Sequence, residues 1–465
     1  MSLDNKGKPF PGANSALALL ILINLLNYID RQVLAAVVGP IKKTFFEAGG
    51  KNLVGSDTLI ALIQWSHNRL GFTPDDALLG LLGTAFMLVY MLGAPIFARM
   101  AERWSRWAIV SIGVILWSLA SGASGLANTF FMLLITRCFV GIGEAAYGPV
   151  APAMISDLFP EEIRGRALAW FYTATPVGSA LGYVLGGLVA NSEIGRWGAG
   201  CFGMEPDSWR WAFLFVLTPG IALGIRSFFM RDLQRGKPEA GRGSAESKNI
   251  HWRDYLILIR TPSYMLCTFG MAAMTFAIGG IAFWMPSYLA SRPNAPSNST
   301  IIFGAITATA GLVATLLGGI AGDRLRARFP GSYFLVSGTA MIIGFPIFMA
   351  VLHAPFPWAI WVLIFLASFC LFFNTGPTNT ILANVTHPSI RAAGFALNIF
   401  IIHALGDVIS PVIVGFLNDW YGDMNKSFMV VGFMFLISGV LWLTGVRYLE
   451  RDTNKVAERW NHRSK

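Results

Sequence analysis

Twelve apolar runs, each long enough to cross a lipid bilayer as a helix, leave this chain of 465 residues little material for a water-facing domain. They lie near residues 15–44, 77–98, 107–127, 130–153, 167–190, 211–230, 262–290, 301–322, 332–352, 357–381, 393–417 and 427–448. A helix rises about 1.5 Å per residue, so about 20 apolar residues span a hydrocarbon core of about 30 Å. Only 13% of the residues are charged and the mean hydropathy is +0.57. A soluble domain carries roughly a quarter charged residues, so lipid must be the solvent for most of this surface. The polar start, residues 1–14, leads into a first run too long for the apolar core of a secretory leader, about 7–15 residues, so no cleavable signal is expected. Cys138, Cys267 and Cys370 fall inside apolar runs and Cys201 in a loop, a pattern that suggests neither disulfides nor zinc.

The net charge of +10 raises nucleic acid as a partner, but its distribution points to the membrane. With the N-terminus placed inside, 24 Lys and Arg residues fall on the cytoplasmic side and 8 on the outer side, as the positive-inside rule requires. An even number of spans puts both termini in the cytoplasm. Residues 231–261, rich in Gly, Ser, Lys and Glu, form the longest polar stretch and read as a linker between an N-terminal six-helix bundle, 1–230, and a C-terminal bundle with a cytoplasmic tail, 262–465. The halves echo each other: Glu102-Arg103 follows the second span and Asp323-Arg324 the eighth, 221 residues apart. A six-plus-six repeat is transporter architecture, with the site near the midplane. The expected fold is thus an all-α membrane protein of twelve transmembrane helices in two pseudo-symmetric bundles. The first outer loop, 45–76, is long and partly apolar; it reads either as an interfacial helix or as a solvated cover over the outer mouth.

Charges inside spans are costly unless paired or hydrated, and they mark ion or substrate pathways. The first span holds Asp30 and Arg31 in NLLNYIDRQVLAA; the fourth holds Arg137 and Glu144 in TRCFVGIGEAAYGPVAP. On the charge-derived topology Asp30 and Arg137 fall at similar depth, which makes them a candidate pair. Glu144 stands seven residues beyond Arg137, on the same helix face and two turns deeper. Arg31 is turned about 100° from Asp30, so the two face different partners.

In the eleventh span His403 and Asp407 are one turn apart; they read as a proton or headgroup site, or as a local hydrogen bond orienting the ring. Asn374, Asn379 and Asn384 around Pro377 either contact substrate or satisfy backbone groups that the proline frees. Gly178, Gly182 and Gly186 form a face suited to close helix packing. The acidic–Arg pairs Glu102-Arg103 and Asp323-Arg324 suit a cytoplasmic gate, where ion pairs and helix termini can meet and part. They resemble the signature loop of the major facilitator superfamily, the first copy departing from it at Ala98 and Ser105.

Together, NLLNYIDRQVLAA, GIGEAAYGPVAPAMISDLFP, FYTATPVGSALGY and HALGDVISP resemble Spinster-type transporters of that superfamily, over both halves of the chain. The resemblance implies the major facilitator fold, alternating access, and transport of a lysophospholipid or sphingosine-1-phosphate-like amphiphile, coupled to protons in some members. It makes Asp30 and Glu144 the protonation candidates. Arg31 and Arg137, with Asn27 and Tyr28 beside them in the motif, become ion-pair or headgroup residues, and Asn374, His403 and Asp407 the polar contacts of the second half. A proton symporter for a small organic anion and a lipid scramblase are the competing readings. With no nucleotide-binding motif, metal-ligand cluster or nucleophile arrangement, the chain is expected to be no enzyme and to carry no cofactor or metal. Its expected partners are substrate, protons and membrane lipids, as a monomer in a bacterial inner membrane.

Overall fold

The computed structural model describes residues 12–47, 55–101, 103–159, 161–191, 209–230, 252–293, 295–326, 328–354, 357–387 and 390–456. The secondary structure of these residues is helical, and 11 of the helices are long and apolar enough to cross a membrane. They include the first span, Ala13–Ala36, the second, Asp75–Met100, the third, Arg106–Gly125, and the fourth, Phe130–Leu158. The helix at the fifth expected position, Glu161–Asn191, is long enough at 31 residues but richer in Ser, Thr, Tyr and Gly. One of its faces is covered by the first span: a Cβ at Gly178 would lie 2.6 Å from the Leu25 carbonyl, and one at Gly182 2.6 Å from that of Ile29. A face packed against backbone need not be greasy. Elsewhere the polarity of a soluble protein is inverted, with Leu92, Ile96, Ile112, Trp170 and Leu316 pointing outward, as lipid-facing residues do.

Four spans are interrupted. The first breaks at Val37 before a short helix, Val38–Lys42, and a turn of π-helix, Lys43–Glu47. The fourth breaks at Gly148-Pro149, the tenth between Phe372 and Thr375, and the eleventh between Leu405 and Ser410. Proline, which lacks the donor that continues a helix, stands within three residues of each of these breaks, at Pro40, Pro149, Pro377 and Pro411. Within the long first loop, Asp57–Leu70 forms a helix of 14 residues, too short to span, with Leu62 and Trp65 exposed.

The helices form two compact units that do not follow the two halves of the sequence. One contains residues 1–239 together with 282–305 and 411–420. The other contains 240–281, 306–410 and 421–465. Within the second, Asp452 of the last span accepts the Ser263 backbone N–H at 2.9 Å and caps the seventh span, Pro262–Ala290. Of the expected linker 231–261, residues 231–251 lie outside the described residues, and Trp252–Ile259 is helical, with Leu258 buried.

The contact between the first and fifth spans yields a stability prediction. Gly182→Val forces a side chain against the Ile29 carbonyl and Gln32 Cβ, 2.7 Å away. Overpacking of this kind costs about 1–3 kcal/mol, so the variant is expected to melt several degrees lower in detergent, as read by thermal unfolding. An unchanged melting temperature would mean that this interface yields easily.

Candidate functional site

The four intramembrane charges meet in the first unit as two crossed pairs. Arg31 Nε lies 2.6 Å from Glu144 Oε2, and Arg137 Nη2 lies 4.0 Å from Asp30 Oδ2. Seven residues of helix separate Arg137 from Glu144, about 10 Å along the axis. Asp30 and Arg31 are neighbours, so each pair covers part of that offset with a long arginine side chain. The rotation of Arg31 from Asp30 gives each its own partner.

The two pairs differ in environment. Asp30, Arg137 and Glu144 are at most 2% exposed, whereas the Arg31 side chain keeps 16%. Ser121 of the third span donates to Asp30 Oδ1. Asp30 Oδ2, Arg137 Nε and Arg137 Nη2 are buried with no hydrogen-bond partner among the described residues, which is costly for charged groups. Arg137 also rests over the Phe213 ring at 5.2 Å. Around Arg31 stand three rings, Tyr28 at 5.1 Å, Phe86 at 5.2 Å and Tyr90 at 4.9 Å from the guanidinium carbon. Such faces stabilise a cation and leave the surroundings apolar. Asn27 is buried one turn before Arg31 on the same side of the helix.

Glycine brings these groups together. A Cβ at Gly141 would lie 2.5 Å from the Phe86 carbonyl, and one at Gly143 2.6 Å from the Trp117 amide. The GIGEAA segment can therefore lie close to the second and third spans and hold Glu144 between them. Phe86, Tyr90 and Ser121 were not singled out from the sequence, because aromatic and hydroxyl residues are common in spans and nothing local marks these three. Gly141 and Gly143, just before Glu144, are the sequence's one hint of a close approach here.

In the second unit, His403 Nδ1 sits 2.9 and 3.0 Å from the two carboxylate oxygens of Asp407, beside the break in the eleventh span. The Val408 N–H reaches back to the His403 carbonyl at 3.2 Å. Asn374 is buried at the break in the tenth span, its amide donating to the Leu371 carbonyl at 2.8 Å, and Asn379 bonds the Thr375 carbonyl. Both amides thus serve backbone carbonyls.

Of the acidic–Arg pairs, Glu102 lies outside the described residues. Arg103 is exposed, and the ion pair at that end of the third span joins Arg106 to Asp157. Asp323 accepts from Tyr333 Oη at 2.8 Å, on the neighbouring ninth span, while Arg324 is exposed.

Interrupted membrane helices and buried, opposed charges are features of membrane transporters. Residues 20–407 match the Major Facilitator Superfamily. Protein spinster homolog 1 of Xenopus laevis is 31% identical over 472 residues, covering 94% of this chain and 81% of that protein. The sphingosine-1-phosphate transporter SPNS2 of Danio rerio is 28% identical over 476 residues, with 96% and 86% covered. Among solved structures, a bacterial homolog of the human lysosomal transporter Spinster, inward-facing and unoccupied, matches with a TM-score of 0.80. That match covers 96% of this chain and 99% of the other, and at 22% identity it speaks to the fold alone. The chain belongs to the spinster family of the major facilitator superfamily, a family of transporters and not of enzymes.

Proposed function

We propose that this transporter moves a lysophospholipid or sphingosine-1-phosphate-like amphiphile across the membrane by alternating access, coupled to protons. The observation that carries the reading is Arg31: a partly exposed cation, ringed by Tyr28, Phe86 and Tyr90, whose charge partner Glu144 is wholly buried. An anionic headgroup entering beside Arg31 competes with Glu144 for the guanidinium. A proton on Glu144 removes the competing charge and frees Arg31 for the headgroup, while the rings accept the adjoining apolar portion. Asp30 and Arg137 are the second, fully enclosed pair through which proton occupancy acts on helix packing. Asn27 adds a polar contact beside Arg31, and Asn374, His403 and Asp407 are the polar groups proposed to serve transport in the second unit.

Glu102, Arg103, Asp323 and Arg324 act in this scheme as a cytoplasmic gate. The scheme places both termini in the cytoplasm, with the Lys and Arg asymmetry as its support, and takes the protein as a monomer in a bacterial inner membrane. Its test is a binding screen on the purified protein, by thermal shift and scintillation proximity, of lysolipids against small carboxylates. Lysolipids are expected to stabilise the protein and to compete with one another. Saturable binding of small carboxylates with none of lysolipids would make it an organic-anion symporter instead, and lipid movement indifferent to a proton gradient would make it a scramblase.

A further inference from the structure

The end of the first unit that carries the first loop, the outer end on the charge assignment, holds a cluster with no part in the scheme above. The second span begins at Asp75, and the residue before it, Pro74, provides no side-chain cap. The first backbone N–H groups of a helix have no partner within it. Here they are met from 343 and 342 residues away: Asp419 Oδ1 accepts the Asp76 N–H at 3.0 Å and Oδ2 the Ala77 N–H at 2.8 Å. An acidic side chain at a helix N-terminus gains from charge-assisted hydrogen bonds and from the helix dipole together. Both oxygens of Asp76 are engaged in turn, one by Lys42 Nζ at 2.7 Å and the other by the Asn418 amide.

The contact is continuous along one face of the eleventh span. Pro411, Gly415 and Asp419 recur every four residues, and all three meet the start of the second span. A Cβ at Gly80 would lie 2.4 Å from the Pro411 carbonyl, and one at Gly415 2.3 Å from that of Asp76. Below Asp419, the Phe72 ring packs edge-on against Phe416 at 5.7 Å and Trp420 at 5.6 Å. This segment, 411–420, belongs to the compact unit of the first six spans, and the rest of its own span, up to Ser410, belongs to the other. The division falls just beyond the break at residues 406–409.

We infer that Asp419, with Asn418, Lys42, Asp76 and Phe72, is a releasable clasp that holds the outer mouth shut, and that outward opening requires the eleventh span to withdraw this cap from the second. The half-helix 411–420 is clasped while the interruption above it lets the remainder move. The long first loop contributes Phe72 and the approach to Asp76, so its role is to fasten the end of the eleventh span. The inference requires alternating access but no particular substrate.

The test is a distance measurement between nitroxide labels at Leu126→Cys and Ser297→Cys, two exposed positions at this end, in a chain whose native cysteines are replaced by alanine. The full chain is reconstituted in nanodiscs without substrate, so a wrong substrate assignment cannot affect the outcome. Asp419→Ala is expected to raise the ratio of long to short distances about tenfold, the scale of one lost charge-assisted hydrogen bond. Phe72→Ala should move it the same way by a smaller factor, and Asp419→Glu should recover part of the closed population. A folded Asp419→Ala variant with the parental distribution overturns the inference. Should that variant not fold, unchanged distributions in both Asp419→Asn and Phe72→Ala overturn it equally.

Discussion

Arg31→Ala is expected to abolish transport and to lower the melting temperature, and the double variant Arg31→Ala/Glu144→Gln to regain the stability without the transport. Removing one partner of a buried ion pair costs about 3–5 kcal/mol, because the other is left as an uncompensated charge. Glu144 is fully buried and 2.6 Å from Arg31, so it is the group left stranded. Glutamine keeps the shape and removes the charge, which separates the structural part of the loss from the functional part. Residues in contact should show coupling of this kind in a double-mutant cycle. Thermal unfolding and proteoliposome uptake read the two parts independently. Uptake restored in the double variant would show that Arg31 serves only to neutralise Glu144 and never meets a headgroup.

Arg137→Ala is expected to be harsher than Asp30→Asn. The first leaves the Asp30 carboxylate with the Ser121 hydroxyl as its hydrogen-bond partner among the described residues, in a site where Asp30 is 0% exposed. The second leaves Arg137 over the Phe213 ring and replaces the carboxylate by a neutral group of the same shape. The expected order in folded yield and melting temperature is wild type, then Asp30→Asn, then Arg137→Ala, the last losing about 3–5 kcal/mol. The reverse order would place the structural burden on the carboxylate.

How far such a site can be read from sequence depends on whether a residue is rare where it stands. Asp30, Arg31, Arg137 and Glu144 could be picked out because charge within a span is unusual, and helix rise and rotation were enough to ask which of them share a level. Their actual pairing depends on how closely the fourth span approaches the second and third, which Gly141 and Gly143 decide and no periodicity reports. Phe86 and Tyr90 are ordinary residues of a span until Arg31 is seen among them. Asp419 was passed over for the opposite reason. At the end of a span an acidic residue is unremarkable, and its partners, the Asp76 and Ala77 amides, open the second span more than 340 residues away, where no sequence pattern links the two. The apolar runs gave the spans directly, whereas the breaks emerged only in three dimensions, because prolines also stand inside unbroken helices, at Pro95 and Pro286.

The central claim, that paired carboxylates couple transport to protons, is tested most directly by uptake of a lysolipid into proteoliposomes across a series of imposed pH gradients. Wild type is expected to respond steeply to the gradient. Asp30→Asn and Glu144→Gln, each locked in the neutral form, are expected to bind substrate yet lose much of that response. A wild-type gradient dependence in both variants would contradict the account and leave the two ion pairs as structural elements.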